Sequence, residues 1–178
     1  MTVLFYLRFY LSTFSGNDNA SGVYTLYEIA KLLKDIKNNH TIEIVSFNGE
    51  DSPEVSGQLA YLNYLEKNNF KIKSVINIDG VGHIGTKNMF SFFNYDENLR
   101  NKIITDNNLL EGEQWYSGDY GMFAFQEIPC IAITADNMFT DLIKVTHTKK
   151  DRIELVDIDL LKQLSKSIVN IIEIIDKK

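Results

Sequence analysis

The stretch Ile72-Lys-Ser-Val-Ile-Asn-Ile-Asp79, closed by Gly80 and Gly82, decides the fold class of this chain. A short apolar run that ends at glycines is typical of a strand buried on both faces of a parallel sheet. Two further runs have the same character, TIEIVSF at residues 41–47 and IPCIAIT at residues 128–134. We therefore predict three strands.

Amphipathic helices are predicted between and after these runs. Apolar residues recur every three or four positions over residues 20–38, 55–67 and 157–176, which is the spacing of a helix with one buried face. Strands that alternate with helices are joined by crossovers and lie parallel. The sequence therefore predicts a single α/β domain over residues 1–178, with a three-layer α/β/α arrangement, a mostly parallel central sheet and a ligand site at the carboxyl ends of the strands.

Composition excludes several classes of protein. The chain has 178 residues, a formal net charge of -6 and no cluster of basic residues, which argues against a nucleic-acid partner. No apolar run approaches the roughly 20 residues that span a bilayer. Cys130 is the one cysteine, so an internal disulfide is excluded, and its apolar neighbours predict a core position. Arg8 interrupts the apolar N-terminal residues, which makes a secretory signal a poor fit.

Acidic residues fall at the predicted carboxyl edge of the sheet. Asp18 opens a helix, Glu50 and Asp51 follow a strand, and Asp79 ends another. Carboxylates gathered at one edge repel one another, and a cation relieves that repulsion. His147, in a polar loop after the third strand, adds the nitrogen ligand that zinc takes together with carboxylate oxygens.

Each of these residues also has an ordinary explanation. Asp18 suits a helix N-cap, Glu50 and Asp51 suit a turn, Asp79 suits a strand end and His147 suits the surface. Their order along the chain favours the metal site over four separate explanations.

Five segments carry a resemblance to a known family. They are GNDNASGVYTLYEIAKLL from Gly16, IEIVSFNGEDSPEVSGQLAY, INIDGVG, SGDYGMF before IPCIAIT, and HTKKDRIELVDIDLL. From Gly16 to the end the chain resembles the co-catalytic zinc aminopeptidases and their glutaminyl cyclase relatives, metallopeptidase family twenty-eight. The Asn-Asp-Asn-Ala-Ser-Gly segment is the most specific of the five and has the aminopeptidase form.

The resemblance implies a role for each acidic residue. It makes Asp18 the carboxylate that bridges two zinc ions and Glu50 the general base. Asp51 becomes a terminal ligand, one methylene shorter than the glutamate usual in the family. Asp79 becomes the terminal ligand of the other zinc, and His147 completes the site that Asp18 and Asp51 share.

Two further features are implied by the same resemblance: Asp151 is expected to be a structural residue after the histidine loop, and the Asp18-Asn19 peptide is expected to be cis. Asp119 suits a residue that supports the ligands or fixes a loop, and it also suits a plain helix N-cap. Relatives often place a tyrosine where Thr146 stands and a histidine where Tyr120 stands.

The chain departs from the family upstream of Asp18. The family has a His-x-Asp pair there, and residues 1–15 contain no histidine. The chain therefore resembles an N-terminally truncated member, and we expect one tightly held zinc, or two if the missing ligand is supplied. Apolar residues left without their neighbours predict self-association through residues 1–15.

The functional hypothesis from sequence is a zinc-dependent aminopeptidase that removes N-terminal residues from peptides through metal-activated water. One alternative is glutaminyl cyclase activity. Another is a catalytically degenerate remnant or binding module of the same fold. As written the chain would remain in the cytoplasm, whereas relatives are commonly secreted or membrane-associated.

Overall fold

The computed structural model describes residues 16–47, 56–115 and 117–178. A tight helical turn over Gly16–Ser21 precedes the first helix, and short 3-10 turns cover Leu142–Lys144 and Ile153–Leu155. In chain order the other elements are α1 (Gly22–Leu33), α2 (Ser56–Lys67), β1 (Val75–Ile78), β2 (Asn88–Phe93), α3 (Glu97–Asn107), β3 (Leu110–Glu111), α4 (Gly121–Ala124), β4 (Cys130–Ala135) and α5 (Ile158–Asp176).

The described strands form one sheet in the order β1-β4-β2-β3. β1 runs parallel to β4 and β2 runs parallel to β3, whereas β2 and β4 are antiparallel. The mostly parallel sheet predicted from the sequence is confirmed. Because β1 and β4 are parallel, both end at the same side of the sheet, which we call the carboxyl edge. β2 begins there, with Asn88 opposite Ala135.

Helices cover both faces of the sheet, as predicted. Alternate residues of β4 point to opposite sides: Ile131 and Ile133 enter one core, and Cys130 and Ala132 enter the other. The first core is closed by residues of α1, α3 and α5, and the second by residues of α2 and α4. The protein therefore has the three-layer α/β/α arrangement.

Two of the predicted helices match the structure closely. α2 begins at Ser56 and α5 at Ile158. The side chain of Asp157 caps α5 by accepting from the backbone N–H groups of Asp159 and Leu160, which satisfies donors that a helix start leaves unpaired. The buried residues of α5 include the predicted Leu161, Leu164, Ile168 and Ile171.

The prediction for α1 was partly wrong. The helix covers Gly22–Leu33 rather than residues 20–38, and Val23 and Tyr27, two of the apolar residues in the spacing that predicted it, are 42% and 61% exposed. Its buried residues are Gly22, Thr25 and Ile29. The helix starts close to β1, because a Cβ on Gly22 would lie 2.6 Å from the carbonyl oxygen of Ile78. A glycine is therefore required where the helix meets the end of β1.

The prediction of a strand at residues 41–47 was wrong as well. Ile42, Ile44, Val45 and Phe47 are partly buried, and Ile44 and Phe47 contact the two different cores. Among the described residues, however, β1 pairs only with β4, and no ladder includes residues 41–47. A short run of apolar residues indicates burial, whereas a strand also needs a hydrogen-bonded neighbour.

β2, α3 and β3 were not predicted from the sequence. β2 is buried at every position, Asn88–Phe93. Its run Met-Phe-Ser-Phe-Phe lies at the centre of the sheet, where both faces are covered. A short apolar run by itself does not distinguish a buried strand from a buried segment of helix.

Cys130 is fully buried, as predicted. Burial raises the pKa of its thiol to about 12, because the interior disfavours the thiolate. At neutral pH the side chain is a packed, protonated thiol.

The buried carboxylate of Asp176 holds the C-terminal end of α5 to the chain after α1. Asp176 accepts from the backbone N–H groups of Asn39 at 2.8 Å and His40 at 2.9 Å, and from Nδ1 of His40 at 2.9 Å. These bonds, led by that of Asn39, hold the pKa of Asp176 below its ordinary value of 3.8. They connect the chain after α1 to the end of the molecule's longest helix.

This contact predicts part of the acid sensitivity of the fold. A carboxylate with a lowered pKa stabilises the folded state above its unfolded-state pKa, and that stabilisation is lost as the pH falls through the folded value. We expect Asp176→Asn to lower stability at pH 7 and to reduce the further loss as the pH falls below about 4. Urea unfolding midpoints measured across this range check the prediction, and parallel pH profiles for the two proteins would contradict it.

None of the helices in the described part of the chain combines the length and the apolar character needed to cross a membrane.

Candidate metal centre

The turn over Gly16–Ser21 is fastened to the end of β1. Nδ2 of Asn17 donates to the carbonyl of Val81 at 2.7 Å, and Nδ2 of Asn19 donates to the carbonyl of Ile78 at 3.0 Å. The side-chain oxygen of Asn19 accepts from the backbone N–H of Gly22 at 3.0 Å. Two asparagines therefore hold the intervening residue, Asp18, at the carboxyl edge.

The peptide bond between Asp18 and Asn19 is cis, as the resemblance implied. Gly16 begins the turn where the chain passes Arg152, and a Cβ on Gly16 would lie 2.3 Å from the carbonyl carbon of Arg152. The turn has no room for a larger residue at this position.

Asp18 meets His147 across the carboxyl edge. Nε2 of His147 lies 2.8 Å from Oδ2 of Asp18, and the two side chains are 57% and 18% exposed. His147 follows the 3-10 turn Leu142–Lys144 and adopts a positive φ of 59°, a conformation uncommon for residues other than glycine. The loop backbone thus directs an exposed imidazole onto a more buried carboxylate.

Asp79 is the first residue after β1. Its backbone N–H donates to the carbonyl of Ile133 at 3.0 Å, which extends the pairing with β4 by one residue. Gly80 follows with a positive φ of 57°. Asp79 therefore lies between Ile78 and Val81, whose carbonyls anchor the turn of Asp18.

Asp119 and Asp151 both accept hydrogen bonds from distant parts of the chain. Asp119 accepts from Nε2 of Gln58, which ties the loop before α4 to α2. Asp151 is fully buried and accepts from the backbone N–H groups of Asn17 at 2.7 Å and Asp18 at 2.9 Å. Glu50 and Asp51, the predicted base and the predicted terminal ligand, lie outside the described residues.

The chemistry of the donors at this edge fits zinc. Zinc takes carboxylate oxygen and imidazole nitrogen ligands, and the pair of Asp18 and His147 offers one of each in direct contact. Within residues 16–47, 56–115 and 117–178 no three acidic, histidine or cysteine side chains are grouped closely enough to enclose an ion. The predicted ligand Asp51 is not among those residues.

Sequence reasoning missed the residues that place Asp18. Asn17, Asn19 and Gly22 provide the side-chain and backbone contacts of the turn. In the sequence these residues appear as two asparagines on either side of Asp18, with a glycine three residues after the second. The amide side chain of asparagine can both donate to and accept from backbone groups.

The fold and the edge together define a class of protein. A mostly parallel, three-layer α/β sheet that gathers a carboxylate and an imidazole at its carboxyl edge is typical of α/β proteins whose ligands bind where the strands end. Residues 15–172 match the sequence model of peptidase family M28. The chain belongs to this family. No curated protein sequence matches it significantly.

Solved structures share the fold. LapB from Legionella pneumophila superposes with a TM-score of 0.77 at 15% identity, over 92% of this chain and 48% of LapB. BSAP, a zinc aminopeptidase from Bacillus subtilis, gives 0.73 at 22% identity, over 89% of this chain and 41% of BSAP. The glutaminyl cyclase of Porphyromonas gingivalis gives 0.65 at 21% identity, over 90% of this chain and 66% of that protein.

The superpositions also show how much of each relative this chain covers. The chain spans 49% of LapA from Legionella pneumophila, over 92% of its own residues. It therefore corresponds to about half of such a relative.

Proposed function

We propose that this chain acts as a zinc-dependent aminopeptidase-type hydrolase that removes N-terminal residues from peptides. The observation that carries the proposal is the 2.8 Å contact between Asp18 and His147. These residues lie 129 positions apart in the chain and meet at the carboxyl edge of an M28 fold. A carboxylate and an imidazole so placed supply two kinds of zinc ligand.

The residues of the site have separate roles in this proposal. Asp18, Asp51 and His147 would hold one zinc ion, and Asp79 would join Asp18 in holding a second. A bound zinc ion would supply Lewis-acid chemistry, because it would polarise the scissile carbonyl and make water acidic enough to lose a proton near neutral pH. Glu50, the neighbour of Asp51 in the sequence, would accept that proton as the general base.

The number of ions follows from the donors present. Asp18, Asp51 and His147 leave one position open for water, which is the coordination common to catalytic zinc sites. Asp18 and Asp79 alone make a weaker second position. We therefore expect one tightly held zinc per chain, with a second if another segment or chain supplies a further ligand.

A Glu50→Gln variant tests the proposal. Glutamine keeps the size of glutamate but cannot accept a proton, so we expect hydrolysis of an aminoacyl-p-nitroanilide to fall about 10²-fold to 10⁴-fold. Zinc content, measured by elemental analysis, should stay at the wild-type value. Glu54→Gln, a nearby acid without a proposed role, serves as the control.

Other results would point to the alternatives. Cyclisation of an N-terminal glutaminyl peptide without aminopeptidase activity would indicate a glutaminyl cyclase, the activity named for one of the solved neighbours. Bound zinc with neither reaction would indicate a binding module. A chain that takes up no zinc would overturn the proposal.

Self-association through residues 1–15 stays a prediction, because those residues lie outside the described part of the chain. Most of residues 1–15 are apolar or aromatic, and apolar surface without a partner favours association. We expect light scattering with size exclusion to show mass rising with concentration. Phe5→Lys with Leu7→Lys should return the protein to a monomer, and a wild-type monomer at all concentrations would contradict the prediction.

A further inference from the structure

We infer that Asp151 is a positioning residue that sets the distance between the two zinc donors Asp18 and His147. The inference rests on the proposed zinc site. Asp151 lies four residues after His147, and each oxygen of its buried carboxylate binds a different backbone N–H of the turn that carries Asp18. One side chain thus joins the loop of the imidazole to the backbone of the carboxylate.

Three consecutive residues of the turn are held by Asp151. Its Oδ1 accepts from the N–H of Asn17 at 2.7 Å, and its Oδ2 accepts from the N–H of Asp18 at 2.9 Å. Its backbone carbonyl accepts from the N–H of Gly16 at 3.3 Å. Hydrogen bonds to an ionised acceptor are stronger than neutral ones, so the carboxylate fixes both the position and the direction of these amides.

The loop around His147 is itself closed by short-range bonds. The N–H of Thr148 donates to the carbonyl of Val145 at 3.0 Å, and the N–H of Asp151 donates to the carbonyl of Thr148 at 3.1 Å. Residues 145–151 therefore form a compact unit. Because Asp151 attaches this unit to the turn, it also determines where the imidazole of His147 lies relative to Asp18.

The turn has other attachments that do not depend on Asp151. Asn17 and Asn19 hold it to the carbonyls of Val81 and Ile78. Loss of the Asp151 carboxylate should therefore leave Asp18 near β1 and release the loop of His147 instead. The expected effect is a change in the separation of two ligands, which a purely structural residue would not produce.

Asp151→Asn tests the inference, because the amide keeps the size of the carboxylate but replaces one acceptor by an N–H₂ donor. Asp176→Asn is a matched control. Asp176 is another buried carboxylate that accepts from two consecutive backbone N–H groups, at the far end of α5. Zinc affinity is measured by competition with a chromophoric chelator, and stability by urea unfolding.

We expect zinc affinity to fall about 10-fold to 100-fold in Asp151→Asn, the usual effect of removing a residue that orients a ligand. In Asp176→Asn it should stay within about twofold of wild type, although stability falls in both variants. Equal zinc affinity in wild type and Asp151→Asn would overturn the inference. If Asp151→Asn does not fold, zinc affinity is measured in Asp151→Glu instead. Glutamate retains the charge and displaces the loop by one methylene, so a fall in zinc affinity is again expected and an unchanged affinity would overturn the inference.

A measurement without metal separates this inference from the proposed function. Nitrogen-15 spectra of the histidine rings in the metal-free protein report the contact between His147 and Asp18. Loss of that contact in Asp151→Asn but not in Asp176→Asn supports the positioning role even if the wild-type chain takes up no zinc. An unchanged ring signal in Asp151→Asn would overturn it.

Discussion

Asp18→Ala is expected to reduce zinc affinity by at least about 100-fold and to abolish peptide hydrolysis. The carboxylate lies 2.8 Å from Nε2 of His147 and in our proposal contributes to both ion positions. Removing a ligand should affect metal affinity at least as strongly as removing a residue that only orients one. Zinc per chain after gel filtration and hydrolysis of an aminoacyl-p-nitroanilide measure the two effects.

The fold should survive this substitution. The turn is anchored through the side chains of Asn17 and Asn19 and through the backbone N–H of Asp18, all of which alanine at position 18 leaves in place. We therefore expect the free energy of unfolding of the metal-free protein to change by about 1 kcal/mol or less. A larger loss would mean that any fall in zinc content reflects unfolding.

His147→Asn should have a similar effect on zinc binding. Asparagine tolerates the positive φ of 59° at this position better than most residues, so it removes the imidazole without straining the loop. His40→Asn is the matched control, since His40 also contacts an aspartate, Asp176, at 2.9 Å. Equal zinc content in the two variants would contradict the proposed role of His147.

Gly22→Ala is expected to destabilise the protein by about 1–3 kcal/mol, the usual cost of overpacking. Inside an exposed helix the same change would stabilise by up to about 1 kcal/mol, because alanine is the better helix former. At this position a Cβ would lie 2.3 Å from Oδ1 of Asn19 and 2.6 Å from the carbonyl oxygen of Ile78. Asn19 cannot move aside without losing its bonds to Ile78 and Gly22.

Gly22→Ala should have a second effect, which comes from the displacement of Asn19. Because Asn19 holds the turn of Asp18 against β1, Gly22→Ala should also weaken zinc binding. Urea unfolding and chelator competition measure the two losses. Val23→Ala, at the next and more exposed position of α1, should change neither by much, and a stabilised Gly22→Ala would show that the helix does not approach the sheet this closely.

Local patterns predicted the helices that bury one apolar side against the core. α5 has its apolar residues along one side and an aspartate cap at its start, and the structure shows both. α1 meets the end of β1 through Gly22, where a Cβ would lie 2.6 Å from the carbonyl oxygen of Ile78. A pattern of large apolar residues does not show a contact made by a glycine.

The amino-acid sequence by itself determined the α/β class, the strands β1 and β4, the helices α2 and α5, and the family, since these depend on local periodicity and on short ordered motifs. Only the tertiary structure decided which strands are neighbours, and hence that residues 41–47 join no ladder in the described part of the chain. It also decided the contact of Asp18 with His147 and the attachment of both to Asp151. Such contacts join residues far apart in the chain, and their distances depend on how the elements between them pack, which no local pattern records.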